Sequence, residues 1–138
     1  MVVLEFKGYH ILKMEYERNL KFNSKEDEAS FNPNINISFH KNSDKEANVV
    51  LGFSSKDELP FNVDVQIEGM FKYNAEEDEA KLGLDNLLKK NATAILFPYF
   101  RMVISQLTGM SGEYPALVLP TMNIGNLIDR QDKEQYIK

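Results

Sequence analysis

The sequence contains no cysteine, and this absence excludes several classes of protein. Without a thiol there is no disulfide framework, thiolate metal site, cysteine nucleophile or redox pair. The chain also lacks an unbroken apolar run of about eighteen residues, the length needed for a membrane span. Glu5 and Lys7 interrupt the apolar residues at the N-terminus, where a signal peptide needs a continuous apolar core. We therefore expect a cytoplasmic protein with no membrane insertion.

Positive charge is also scarce. The 138 residues carry 16 Lys and Arg against 21 Asp and Glu, a formal net charge of −5. General binding to a phosphate backbone needs a positive surface, so nucleic acid is disfavoured as a partner. Hydrophobic residues make up 43% of the chain and charged residues 27%, as in ordinary globular proteins. The length predicts one domain over residues 1–138.

Residues suited to catalysis are few. The two histidines, His10 and His40, lie in predicted strands and lack the spacing of a metal motif. They would approach each other only if the first two strands pair, and surface histidines are the simpler interpretation. Residues 109–112 (GMSG) have the spacing of a nucleic-acid clamp, but helix termination explains them better. The acidic runs at 26–28 and 76–79 lack the spaced ligands of a calcium loop. We predict no enzymatic activity, no metal and no cofactor.

Four segments alternate apolar and polar residues with the two-residue period of a strand. They lie at residues 4–16, 34–40, 47–54 and 61–73. Because every segment is amphipathic, they predict an antiparallel sheet with one covered face and one wetted, acidic face. Turn-forming residues at 41–46 (KNSDKE) join the second and third strands in a hairpin. Residues 19–33, rich in Asn, Ser and charge, predict a solvated connection.

The first strand has an irregular apolar pattern. Its apolar residues of one parity are Leu4, Phe6, Leu12, Met14 and Tyr16. Gly8 and His10 fall on the same parity without being apolar. Such an interruption indicates a bulge or the close approach of a neighbouring backbone.

Helical spacing follows the charged residues 75–79. Leucines from Ala80 onward predict one helix, and residues 93–108 predict a second with a broad apolar stripe. Pro98 inside the second helix predicts a kink or a restart. The proline-bracketed segment (residues 114–120, YPALVLP) is apolar but cannot be a central strand.

The end of the chain completes the predicted fold. Residues 125–138 predict a short final helix whose polar end frays. The fold class is therefore α+β, with a four-stranded antiparallel sheet followed by a long helix and a short C-terminal helix packed on one face.

The helix at residues 93–108 is apolar around more of its circumference than one sheet can cover. Each large apolar side chain kept out of water contributes about 1.5 to 3 kcal/mol, and exposed apolar patches promote association. We therefore expect self-association. A core plus a subunit interface would account for all of this apolar surface, and a groove for apolar peptide segments is the functional alternative.

Three segments carry a likeness to a known family. They are residues 61–71 (FNVDVQIEGMF), 95–101 (ILFPYFR) and 112–128 (GEYPALVLPTMNIGNLI). The ILFPY run followed at once by a helix with arginine is the most specific, and YPALVLPTMN is similar to the family's FPQLNLAPVN. In order and spacing these segments resemble the SecB family of bacterial protein-export chaperones. With the four amphipathic strands, the likeness covers nearly the whole chain.

The resemblance implies a function and an assembly. It implies a holdase that binds apolar segments of unfolded preproteins in grooves and delivers them to the SecA export motor, with no catalytic activity or nucleotide. Affinity in this mode comes from apolar burial and adaptable contacts. The implied assembly is a homotetramer, a dimer of dimers with helices sandwiched between sheets.

The resemblance also implies the site residues. The client grooves fall on the second strand, the proline-bracketed segment and the start of the last helix. Their residues here are Ile35, Ile37, Phe39, Tyr114, Pro115, Leu117, Leu119, Leu127 and Ile128. The motor-binding surface is the wetted face of the sheet, here Glu15, Glu17 and Asp64.

Some positions depart from the family. Lys13 replaces an acid, Asn62 replaces an apolar residue, and residues 130–138 (RQDKEQYIK) are nearly balanced in charge where the family has an acidic extension. These departures fit one alternative, a SecB-like chaperone dedicated to a single client such as an antitoxin. A second alternative is an oligomeric scaffold that has no client. The sequence leaves all three functions open.

Overall fold

The computed structural model describes residues 2–22 and 34–120. Within them four antiparallel strands form one sheet: β1 (Leu4–Arg18), β2 (Ile35–Lys41), β3 (Glu46–Ser54) and β4 (Phe61–Tyr73). The order across the sheet is β1-β4-β3-β2. Strands β2 to β4 thus form a meander while β1 returns beside β4, which is Greek-key connectivity. The α+β class and the antiparallel sheet are confirmed.

The alternation of apolar and polar residues along each strand corresponds to the two faces of this sheet. Along β4, buried and half-buried residues alternate without exception from Phe61 to Phe71. The inner face carries about half of the buried hydrophobic residues, including Val49, Leu51 and Phe53 of β3, and the helical run supplies most of the others. The predicted hairpin between β2 and β3 is present and is closed by a hydrogen bond from Asn42 N–H to the Glu46 carbonyl at 2.8 Å.

β1 contains two irregularities. Its pairing with β4 shifts register between Phe6 and Tyr9, around Gly8 with a φ of 111°, and again between Ile11 and Lys13. The predicted bulge is therefore confirmed. The effect of the bulge on the two faces of β1 was not predicted. Tyr9 and Ile11 oppose inward-facing residues of β4, and Leu12 does not. A one-residue slip moves side chains to the other face of a sheet. The second irregularity adds another residue to β1, so that Met14 and Tyr16 again oppose inward-facing residues of β4.

After a 3₁₀ turn (Ala75–Glu77), one helical run follows the sheet, where two separate helices were predicted. It consists of α1 (Leu84–Leu87), a π-helical turn (Leu88–Ala92) and α2 (Thr93–Gly109), with helical dihedrals at the junctions. The run begins at Leu84 and not at Ala80, since residues 81–83 are held in a turn by Asp78. Gly83, with a φ of 84°, precedes the first helical residue.

Pro98 lies inside α2 without ending it. The restart that the sequence allowed does not occur. Proline cannot donate to the carbonyl of Ala94, but both residues are exposed, so water can reach the unpaired acceptor.

The inner face of the sheet is covered by α2. Leu96 packs against Gly69 of β4, where an added Cβ would lie 3.0 Å from the Leu96 Cδ1. The ring of Tyr99 lies 5.4 Å from that of Phe6 and 5.0 Å from that of Tyr9, both on β1. The final helix predicted for residues 125–138 lies outside the described residues.

Candidate functional site

The first stretch of the predicted client surface is the apolar face of β2. Ile35, Ile37 and Phe39 lie opposite Phe53, Leu51 and Val49 of β3, on the side of the sheet that α2 covers. Ile35 is fully buried, whereas Ile37 and Phe39 are half-buried and pack against the core. Since β2 is an edge strand, two of the three predicted side chains border solvent at the margin of the sheet.

The second stretch is the proline-bracketed segment. Tyr114 and Leu117 are half-buried against the core, and Pro115 is exposed. Leu119 is fully buried, so in this conformation it belongs to the core and offers no surface. Leu127 and Ile128, the remaining predicted client residues, lie outside the described residues.

Side chains of α2 hold the proline-bracketed segment in place. The Leu117 N–H donates to the Thr108 Oγ1 at 2.7 Å, and the Arg101 Nε donates to the Leu119 carbonyl at 2.9 Å. The ring of Tyr114 lies 6.4 Å from that of Phe61. A hydrogen bond with Glu113, followed by burial, raises the pKa of Tyr114. The family-derived residues therefore divide into a buried pair, Ile35 and Leu119, and a half-exposed set at two places on the border of the same core. The half-exposed set consists of Ile37 and Phe39 on β2 and of Tyr114 and Leu117 in the proline-bracketed segment.

The predicted motor-binding residues lie on the opposite, outer face of the sheet. Glu15 of β1 is directly opposite Asp64 of β4, and Glu17 is opposite Asn62. A depression of about 720 Å³ opens beside these residues. Lys13 lies within this acidic set, with its Nζ 2.8 Å from Asp64 and 3.8 Å from Glu15. The hydrogen bond to Asp64 and the attraction of that carboxylate raise the pKa of Lys13. The acidic surface is thus partly neutralised from within.

Asn62, the other departure from the family, is engaged with a neighbouring turn. Its Oδ1 accepts the N–H of Asp57 at 2.7 Å, and its Nδ2 donates to the Asp57 Oδ1 at 3.4 Å. Asp57 has a positive φ of 66°, which is uncommon for a residue other than glycine. The amide of Asn62 therefore serves the turn between β3 and β4.

Further apolar side chains of α2 and β1 are exposed beyond the predicted sites. Six are 36% to 51% exposed: Ile95, Tyr99 and Met102 on α2, and Ile11, Leu12 and Met14 on β1. The excess of apolar residues on α2 was predicted. The contribution of Ile11 was missed, because it depends on the first register shift of β1, and Gly8 and His10 were the signals of an interruption there.

The histidine pair does not form. His10 lies on β1 and His40 on β2, at opposite edges of the sheet. The possible metal pair required β1 and β2 to be neighbours, and β4 and β3 separate them. Within residues 2–22 and 34–120 there is no group of three or more histidines and carboxylates placed to hold a metal ion.

No helix in the part of the chain that the structure describes is long and apolar enough to span a membrane.

Solved structures of other proteins share the fold. One is a protein of unknown function from Streptococcus agalactiae, with 16% identity and a TM-score of 0.58, covering 86% of this chain and 97% of that one. Another is the SecB-like chaperone Rv1957 of Mycobacterium tuberculosis, in complex with a ChAD peptide from the antitoxin HigA1 (Rv1956). It has 15% identity and a TM-score of 0.65, covering 86% of this chain and 90% of that one.

Sequence comparison identifies the family. No curated protein matches the chain. A family model described as "Preprotein translocase subunit SecB" matches residues 9–135. This match spans most of the chain and agrees with the shared fold. The chain therefore belongs to the SecB family.

Proposed function

We propose that this protein is a chaperone that holds unfolded polypeptides by their apolar segments. The observation that carries the proposal is the half-exposed set at the edge of the core, Ile37, Phe39, Tyr114 and Leu117. Membership of the SecB family supports it. The neighbouring structure of Rv1957 contains a bound peptide from another protein, which also supports peptide binding by this fold.

The chemistry of this surface suits an unfolded client. An extended segment presents alternate side chains to one side, and each apolar Å² it buries contributes about 25 cal/mol. A surface of aliphatic and aromatic side chains accepts many sequences, because apolar burial has little directionality. Binding of this kind involves no reaction, and we infer that the protein is not an enzyme.

The proposal is tested by exchanging one residue of the half-exposed set for a charge. We expect Ile37→Asp to weaken capture of a chemically unfolded, slow-folding protein at least about tenfold, because an unpaired charge in an apolar contact costs more than the ~1.4 kcal/mol that a factor of ten represents. Suppression of aggregation, followed by light scattering, measures capture.

Ser38→Asp is the matched control. It adds the same charge to the next residue of β2, which is exposed and points to the other face. This variant should suppress aggregation as well as the wild type does. If wild-type protein suppresses no aggregation, or if both variants lose activity equally, the proposed surface is wrong.

We further propose a homotetramer, assembled as a dimer of dimers. The exposed apolar side chains of α2 and β1 support it, since a monomer would leave them in water. The apolar surface of the protein then has two uses, one in permanent contacts between subunits and one in temporary contacts with clients.

Two fates of the client remain as candidates. In the first, the outer face with Glu15, Glu17 and Asp64 delivers the client to SecA. In the second, the protein serves one dedicated client, such as an antitoxin. The ion pair between Lys13 and Asp64 favours the second, because a basic partner would meet a carboxylate that is already paired.

Binding to purified SecA separates these two candidates. Delivery predicts measurable binding that Asp64→Lys abolishes, while a dedicated chaperone predicts none. Retained capture of unfolded protein by Asp64→Lys shows that the client surface is intact, since Asp64 lies on the other face of the sheet.

A further inference from the structure

The backbone hydrogen bonds of β3 alternate between its two neighbouring strands. The Tyr73 N–H donates to the Lys45 carbonyl at 2.6 Å, and the Ser55 N–H donates to the Val63 carbonyl at 2.9 Å. Both bonds continue the register that pairs β3 with β4. In an antiparallel pair of strands, every second pair of opposed residues exchanges hydrogen bonds. The odd-numbered residues of β3 therefore bond to β4, and its even-numbered residues bond to β2.

The backbone groups of the odd-numbered residues of β2 are consequently directed away from β3. The Asn42 N–H donates to the Glu46 carbonyl at 2.8 Å, which continues the register of β2 with β3 and assigns the even-numbered residues of β2 to this ladder. The N–H and carbonyl groups of Ile37 and Phe39 hence point to the free edge of the sheet. Within residues 2–22 and 34–120, no strand lies beyond β2.

Ile37 and Phe39 thus offer a client two kinds of contact. Their side chains are half-buried against the core, on the face of the sheet that α2 covers. Their outward backbone groups lie at the margin of the same face. A polypeptide laid along β2 would therefore meet apolar side chains and hydrogen-bonding groups together. Because every polypeptide has the same main chain, such bonds add affinity without selecting a sequence.

The pairing of β2 is regular, unlike that of β1 at the other edge of the sheet. The register of β2 with β3 has no shift over Ile35–Lys41, so its outward backbone groups recur at even spacing. β1 has two register shifts and carries Lys7 and Lys13, and bulges and lysines are features that hinder the pairing of an edge. The one lysine of β2, Lys41, stands at its end and is paired with Asp85 at 2.7 Å.

We propose that a client segment binds to the free edge of β2 as an additional antiparallel strand. This inference rests on the proposed function and adds the backbone geometry of binding. All pairs in the sheet are antiparallel, and antiparallel pairing is slightly more stable per residue than parallel pairing. A client residue opposite Ile37 or Phe39 then exchanges backbone hydrogen bonds with it and directs its side chain to the same face. The apolar residues of the client are therefore the ones whose N–H groups bond to β2.

Three forms of one peptide test the inference with wild-type protein. The probe is a short peptide of alternating leucine and serine residues, either unmodified, N-methylated at its leucines or N-methylated at its serines. Methylation removes a backbone donor and leaves the side chains unchanged. Methylated leucines should weaken binding at least about tenfold, because the donors to β2 are lost. Methylated serines, whose nitrogens face away from β2, should leave the affinity nearly unchanged. Fluorescence anisotropy of the labelled peptide measures binding.

The comparison of the two methylated peptides decides the outcome. Binding through side chains alone predicts equal losses for both, and that result would overturn the inference. A larger loss from methylated serines would also overturn it, since a parallel strand would use those nitrogens. If none of the three forms binds, the proposed function itself fails.

A matched pair of variants tests the edge from the side of the protein. Ile37→Pro and Ile37→Ala both shorten the side chain, but only proline removes the N–H that faces the edge. Proline is tolerated at such a position of an edge strand, so the two variants should unfold at similar denaturant concentrations. Ile37→Pro should capture unfolded protein several-fold more weakly than Ile37→Ala. Equal capture, or much lower stability of Ile37→Pro, would contradict a free N–H that bonds to clients.

Discussion

Asp78 holds the chain where the sheet ends and the helical run begins. Its carboxylate accepts hydrogen bonds from the Tyr73 hydroxyl at 2.7 Å and from the N–H groups of Leu82 and Gly83, each at 2.9 Å. The bond from Gly83, then those from Tyr73 and Leu82, lower the pKa of Asp78. The ionised form is thus the one that these donors stabilise.

A pH-dependent stability difference follows from this pKa. Because the folded-state pKa is depressed, the stabilisation is complete above the unfolded value of about 3.9 and is lost as pH falls through the folded value. We expect Asp78→Asn to be less stable than the wild type at pH 7, with a difference that shrinks below about pH 4. Chemical denaturation across this range measures it.

Asp44→Asn removes an equal charge from the exposed turn between β2 and β3 and is the control for Asp78→Asn. Its effect at pH 7 should be smaller. A difference for Asp78→Asn that is constant with pH, or that grows in acid, would show that ionisation of Asp78 does not stabilise the fold.

The sequence could not predict the burial of a polar residue whose hydrogen-bond partner is distant along the chain. Asn19 was assigned to a solvated connection, which is wrong, because it is buried and its Nδ2 donates to the Leu59 carbonyl at 2.9 Å. The two residues are 40 positions apart. A local pattern records whether a residue is polar, and it does not record which remote backbone group will satisfy it.

At the scale of elements, Gly69 sets the distance between the sheet and α2. A Cβ at this position would lie 3.0 Å from the Leu96 Cδ1 and 3.1 Å from the Phe71 Cε2, both in the core. We expect Gly69→Ala to destabilise the fold by about 1 to 3 kcal/mol, because overpacking displaces side chains that have no free space. The midpoint of denaturant unfolding measures this change.

Gly52 provides the comparison for Gly69. It lies on the neighbouring strand, β3, where an added Cβ would make an ordinary contact, 3.5 Å from the Gln66 Cγ. Gly52→Ala should therefore leave stability nearly unchanged. Equal destabilisation by both substitutions would mean that strand conformation, and not the packing of α2, explains the effect.

The regular elements were predictable because their signals are local. The two-residue period located all four strands, and Gly8 marked the irregularity in β1. The junction of the helices was not predictable, since the start at Leu84 depends on the carboxylate of Asp78. The position of the proline-bracketed segment likewise depends on Arg101, 18 residues before Leu119.

At the scale of the whole molecule, the exposed apolar side chains of α2 and β1 predict assembly. Wild-type protein should sediment with the mass of a tetramer, and Met102→Asp should shift the distribution to smaller species, because a charge would enter an apolar interface. Ser38→Asp, on the outer face, should leave the mass unchanged. A wild-type monomer in dilute solution would overturn the predicted assembly.

Family membership was accessible from the sequence because its motifs are continuous, as in residues 95–101. The structure was needed to rank the predicted client residues by their exposure. Burial separates Ile35 and Leu119, which belong to the core, from Ile37 and Leu117, which border solvent. Which inward-facing residue stays accessible depends on the position of α2 over the sheet, and periodicity alone does not contain that information.

The most direct test of the account is a calorimetric titration of wild-type protein with one client protein in two forms, permanently unfolded and native. We predict binding to the unfolded form with a negative heat capacity change, the sign of apolar burial, and no binding to the native form. Absence of binding to the unfolded form, or equal binding to both, would contradict the claim that this molecule captures apolar segments before they fold.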